Sequence, residues 1–200
     1  MTAGCCAHEF DDSSSVSCKD GLRVICIEGA DFKFSCAHFV AFKGFREKLH
    51  GHNYTVKVRI GGPMDHDGYV LDFGIVKAHL RGTCKKINES LIVPMRSDVL
   101  KITVNAPQVE IRSESGSFFS IPQDDCSLLP IVHSTAEELS EYIWDQLVQG
   151  LTYELIQARK LDWMEVTVKE APTQGSSFFK AFSTRLISTS DHTVVISNEA

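Results

Sequence analysis

Two histidines two residues apart, His50 and His52, stand immediately ahead of residues 55–60, a run in which polar and apolar side chains alternate. Alternation with period two predicts a half-buried strand, and residues two apart on a strand share a face. His50 and His52 therefore point the same way as Tyr54, Val56, Val58 and Ile60. Two imidazoles at the mouth of a core-facing row form a pair of potential metal ligands, and they oblige the fold to bring a third.

The third lies upstream. Residues 32–38 alternate in the same way, with Phe32, Phe34, Cys36 and His38 on one face. If this strand pairs antiparallel with the one that follows His52, its end meets the partner's beginning. His38 then arrives beside His50 and His52. Three neutral imidazoles that leave a coordination place for water or substrate make a catalytic zinc arrangement, whereas structural zinc is enclosed by four protein ligands, usually with Cys. The plainer alternative is three ordinary histidines, one buried and two on a loop. Their convergence through strand geometry favours Zn2+.

Composition restricts the setting. The 200 residues suit one domain with a good core. Residues 1–20, rich in Ser and Asp, read as a mobile tail, 21–180 as the domain, and 181–200 as a C-terminal tail. A net charge of -6 argues against a nucleic-acid partner. No apolar run is long enough for a membrane, and the N-terminus lacks signal-peptide order. Seven cysteines without a C-x-x-C pair fit reduced thiols in a cytoplasmic protein.

Along the chain, residues 22–28 predict a first strand, and residues 39–49, long for a hairpin, a flap over the metal. A short strand is expected at 69–71, then a helix over 72–88 capped by Asp72. Residues 100–104, 108–112 and 117–121 predict a small meander inside an insertion at about 91–130. Ser134, Thr135, Glu137 and Glu138 offer a capping box in either register. The helix they open buries Leu139, Tyr142, Ile143 and Leu147 and is read as far as residue 158. Residues 163–169 predict the last strand, with Glu170 next in its buried row. Phe178, Phe179 and residues 194–196 are apolar fragments without a placement. The pattern is α+β, an antiparallel β-sheet with two helices packed on one face.

These residues resemble a known family. Phe34 to His38 is similar to the F-S-A-x-H of the 6-pyruvoyl-tetrahydropterin synthases, and His50 to Tyr54 matches their H-G-H-N-Y. Gly68 to Phe73, Ser134 to Glu137, and Val166 to Glu170 fall, in order, where that family has G-M-V-x-D/N, S/P-T-x-E and a strand-ending glutamate. The resemblance spans residues 32–170 apart from the insertion. It implies the tunnelling fold, an oligomeric barrel commonly built as a homohexamer, a dimer of trimers. It also implies zinc on His38, His50 and His52, and a pterin ring anchored by Glu170 with help from Ser134 and Thr135. A carboxylate suits the ring because its 2-amino and N3–H groups make a flat pair of donors.

The departures from the family pattern bear on the reaction. No Cys occurs at 39–49, where the family carries its proton-transferring Cys; Glu47, three residues before His50, stands there instead. A branch of the family places Glu at this point. In that branch the implied outcome is side-chain cleavage of 7,8-dihydroneopterin triphosphate to 6-hydroxymethyl-7,8-dihydropterin, a folate precursor, with Glu47 as general base. The family's Asp-His pair is replaced by Asn88 and Glu89, and His133 is the candidate relay, oriented by Asp98 or Asp125, unless it is a bystander at a helix start. Lys43, Arg46 and Lys48 are candidate triphosphate contacts. The alternatives are a 6-pyruvoyl-tetrahydropterin or 6-carboxy-tetrahydropterin synthase, or a non-catalytic zinc- and pterin-binding protein.

Overall fold

The computed structural model describes residues 21–182. The expected tail at 1–20 and the fragment at 194–196 lie outside them. Strand β1 (Arg23–Ile27) is followed by β2 (Lys33–His38), the short strands β3 (Ala41–Phe42) and β4 (Phe45–Arg46), and the long β5 (His50–Gly62). Helix α1 (Phe73–Lys86) leads to β6 (Ser90–Pro94), then β7 (Leu100–Asn105), β8 (Gln108–Ser113), β9 (Phe118–Pro122) and β10 (Cys126–Leu129). Helices α2 (Ala136–Leu151) and α3 (Tyr153–Ala158) precede β11 (Trp163–Ala171) and β12 (Gln174–Ala181).

The main sheet is ordered β10-β6-β2-β5-β11-β12, with β1 also paired to β5. β5 organises it. Its first half pairs with β2, its second half with β1, and its other edge with β11, all antiparallel. Alternation holds as the sequence predicts: Tyr54, Val56, Val58 and Ile60 are buried, while Asn53 and Thr55 are exposed. The buried row meets Val76 and Leu80 of α1 and Leu139, Ile143 and Leu147 of α2 in one core. Fully burying each such aliphatic side chain contributes about 1.5–3 kcal/mol. The Trp144 indole N–H donates to the Met164 carbonyl at 3.0 Å and ties α2 to β11.

Three expectations need correction. The sheet is mixed rather than purely antiparallel, because β6 runs parallel to both β2 and β10. β6 has its two faces in different cores: Ile92 lies in the helix-covered one, Leu91 and Val93 in a second one beneath the meander. The expected single helix reaching 158 breaks at Thr152, where φ is +62°, and the Thr152 hydroxyl caps α3 by accepting from the Leu155 amide. Residues 69–71 form a loop, since Arg159 binds the carbonyls of Tyr69 and Val70. Phe178 and Phe179, unplaced by sequence, lie on β12 in a hairpin with β11. The meander of β7, β8 and β9 is as predicted.

The Arg159 clamp also governs an acid response. Its guanidinium bonds Asp67 at 2.8 and 3.2 Å and pulls that carboxyl down to about 2. A depressed carboxylate stabilises the fold above its ordinary range and loses that contribution as the pH falls towards 2. Arg159→Met is expected to raise the Asp67 titration towards the ordinary carboxylate range, as followed by carboxyl-carbon NMR. An unmoved midpoint would dissociate Arg159 from the effect.

Candidate active site

The antiparallel register of β2 on β5 places His38 opposite His50 and Cys36 opposite His52. The glycine between the two histidines permits this pairing, because a Cβ at Gly51 would stand 2.9 Å from the Cys36 carbonyl oxygen. The three imidazoles converge at the strand mouth, with ring centroids 4.5 Å apart for His38 and His50, 5.3 Å for His38 and His52, and 5.0 Å for His50 and His52. One nitrogen from each ring lies within 4.8 Å of the others.

Hydrogen bonds select the nitrogens that face inwards. His38 Nδ1 lies 2.7 Å from the Ser134 carbonyl and His50 Nδ1 lies 2.8 Å from the Lys48 carbonyl. A carbonyl only accepts, so both Nδ1 atoms carry the proton and both Nε2 atoms keep a lone pair. The Tyr54 hydroxyl, 3.2 Å from His38 Nε2, donates to that same lone pair. Burial pushes the Tyr54 pKa up, keeping its proton in place. Burial also lowers the His38 pKa, helped by His50 and His52 and opposed by the Ser134 bond. A neutral ring with its far nitrogen on a carbonyl is how metal-binding histidines are oriented. The set could hold one divalent ion. No Cys or carboxylate completes the group among the described residues.

A cavity of about 410 Å³ opens over these rings. Its walls include Glu47 from the flap, Thr135 and Glu137 from the start of α2, and Glu170 from the end of β11. Glu47 is fixed at both ends. Its amide donates to the Val40 carbonyl at 2.9 Å, and its carboxylate accepts from the Val40 amide at 3.0 Å. Glu170 stands at a register shift between β11 and β12, and such bulges re-aim side chains. Its Oε2 lies 3.9 Å from His52 Nε2. Three carboxylates facing three imidazoles suit a cation at their centre.

Ser134 and His133, also expected at the site, do not line this cavity. Ser134 is fully buried behind the histidines, its hydroxyl donating to the Phe39 carbonyl while its own carbonyl holds His38. It supports a ring rather than lining the cavity. His133 is also outside the cavity wall. Its Nδ1 bonds the Ala41 carbonyl at 3.0 Å and its amide bonds Glu138, with neither Asp98 nor Asp125 as orienter. Thr135 does reach the cavity and caps α2 by accepting from the Glu138 amide. The capping register explains Glu137, which the sequence reading left unassigned. Glu138 turns back to the amides of Val132 and His133, so Glu137 is free to face the cleft. Of the three candidate triphosphate contacts, Arg46 is committed to the flap, where it donates to the Glu47 carbonyl at 2.6 Å.

Comparisons with known proteins agree with this geometry. A profile of the family described as 6-pyruvoyl tetrahydropterin synthase matches residues 29–181. A Methanocaldococcus jannaschii protein provisionally named 6-carboxy-5,6,7,8-tetrahydropterin synthase is 30% identical over 152 residues, covering 76% of this chain and 91% of the relative. The crystal structure of 6-pyruvoyl tetrahydropterin synthase from Plasmodium vivax is similar at a TM-score of 0.79 and 42% identity, covering 82% of this chain and 100% of that one. The Plasmodium falciparum structure is similar at 0.78 and 40%, covering 80% and 99%. Two further Plasmodium vivax structures are variants in which a glutamate described as a catalytic residue is replaced by Ala or by Cys.

Proposed function

Because this chain belongs to the 6-pyruvoyl tetrahydropterin synthase family, we propose that it is a zinc-dependent lyase cleaving the side chain of 7,8-dihydroneopterin triphosphate to 6-hydroxymethyl-7,8-dihydropterin. The observation that carries this reading is the Glu47 carboxylate, pinned by Val40 in the wall of the cavity over His38, His50 and His52. The Plasmodium vivax variants support it, since they alter a glutamate described as catalytic in a protein 42% identical to this chain.

Zinc held by His38, His50 and His52 would supply Lewis acidity, easing loss of a proton from the side-chain hydroxyls. Glu47 takes the proton of the C2′ hydroxyl. As that oxygen becomes a carbonyl, the C1′–C2′ bond breaks and its electron pair passes through C6 into the pterin ring. Glu47 then returns the proton to C1′, leaving a hydroxymethyl group on the pterin and releasing glycolaldehyde triphosphate. Every atom is accounted for, and no further reactant enters. Glu170 anchors the 2-amino and N3–H edge of the pterin, with Thr135 beside it. The helix-free face of the main sheet suits the lumen of an oligomeric barrel, and a homohexamer in the cytoplasm completes the reading.

Mass spectrometry of the products tests it. Purified zinc-loaded protein is expected to yield 6-hydroxymethyl-7,8-dihydropterin; release of tripolyphosphate with an intact carbon skeleton would contradict it. The name of the Methanocaldococcus jannaschii relative favours a second reading, a 6-carboxy-tetrahydropterin product, which the same assay separates by mass.

A further inference from the structure

We propose that the three-stranded sheet of β7, β8 and β9 is a positioning element that holds the flap so that Glu47 faces the histidines, with Phe119 and Arg46 as its working contacts. The inference rests on the reading of Glu47 as general base. The flap leaves the main sheet after His38 and rejoins it at His50, and its own secondary structure is one hairpin of two-residue strands, β3 and β4. A hairpin that short does not hold a shape by itself. Something else must fix the residue at its end.

The meander supplies the support. Phe39 and Ala41 from the flap are buried in one core with Leu100, Val109 and Ile111 from β7 and β8. Phe119 of β9 stacks on Phe39 with centroids 5.2 Å apart and planes 23° apart. The Arg46 guanidinium lies over both rings, 5.5 Å from the Phe39 centroid and 5.4 Å from that of Phe119. The same guanidinium donates to the carbonyl of Glu47. At the flap tip, the Gly44 amide donates to the Glu114 carboxylate of the β8–β9 turn at 3.1 Å.

A short chain of contacts thus runs from β9 to the candidate base. Phe119 holds Phe39 and Arg46; Arg46 holds the Glu47 carbonyl; Val40, next to Phe39, holds the Glu47 amide and carboxylate. Neither Phe119 nor Arg46 lines the cavity over the histidines. Their effect on turnover therefore passes through where Glu47 stands. Misplacement of a reacting group by a fraction of an ångström is costly even when its cause is distant.

The test combines Phe119→Leu, which keeps an apolar side chain but removes the ring face, with Phe119→Tyr, which restores the face. With 7,8-dihydroneopterin triphosphate, Phe119→Leu is expected to lower kcat about tenfold with KM within about twofold of the parent. Zinc content stays unchanged. Hydrogen exchange at the Val40 and Glu47 amides rises while β5 keeps its protection. Phe119→Tyr recovers both kcat and protection, and Phe119→Leu adds no further loss to Glu47→Gln. Should Phe119→Leu not fold, Arg46→Met against Arg46→Lys carries the same comparison. Parental kcat and parental exchange in Phe119→Leu, alongside an inactive Glu47→Gln, would overturn this inference and leave the Glu47 reading standing. A loss in Phe119→Tyr equal to that in Phe119→Leu would also overturn it. A fully active Glu47→Gln would remove the base itself, and the inference with it.

Discussion

Glu47→Gln is expected to give a folded, zinc-loaded protein that turns over about 10²- to 10⁴-fold more slowly. The amide is nearly isosteric with the carboxylate, and its carbonyl oxygen can still accept from the Val40 amide, so the flap keeps its shape. What is lost is the capacity to take a proton. Steady-state kinetics with metal analysis on the same preparation checks the two halves together. A general base that leaves binding intact lowers kcat and kcat/KM alike. Parental turnover in the variant would take Glu47 out of the chemistry; loss of zinc would make it a support of the metal site instead.

His50→Ala carries the second large effect. The His50 ring is exposed and its one hydrogen bond is to the Lys48 carbonyl, a group that water can satisfy once the ring is gone. Removing it should leave the metal-free fold intact and weaken zinc binding by more than about 100-fold, beyond the 10- to 100-fold typical of losing an outer partner. The rise in thermal midpoint that zinc confers on the parent should disappear with it. His38→Ala differs. That ring is only 3% exposed and satisfies the buried Ser134 carbonyl, so its removal adds a folding cost of about 1–3 kcal/mol to the loss of metal. Calorimetric zinc titration and thermal unfolding of both variants separate ligand from support. Parental zinc affinity in His50→Ala would place the metal elsewhere.

The site was legible where it rests on strand periodicity. Alternation on β2 and β5 suffices to bring His38 to His50 and His52, because an antiparallel register is set by which residues must face the core. The meander was legible for the same reason. β6 was not, since Leu91, Ile92, Val93 and Pro94 are all buried and a strand covered on both faces has no alternation to show. β12 was missed because its Ser and Phe residues follow a register shift beyond Lys169. The surroundings of Ser134 and His133 were not legible for a different reason. The Ser134 hydroxyl and the His133 ring bond main-chain carbonyls of the flap, whose side chains carry no sign of the contact, and the His133 amide is held by the Glu138 carboxylate. Glu137 could have been found from the choice of capping register, which Thr135 and Glu138 decide.

The measurement that bears most directly on the account is anomalous diffraction at the zinc edge from crystals of the protein grown with zinc. The account predicts a single strong peak bound by His38, His50 and His52, with its remaining coordination open to water or pterin and the Glu47 carboxylate on the same side of the ion. Zinc found away from these three rings, or enclosed by a fourth protein ligand, would contradict it.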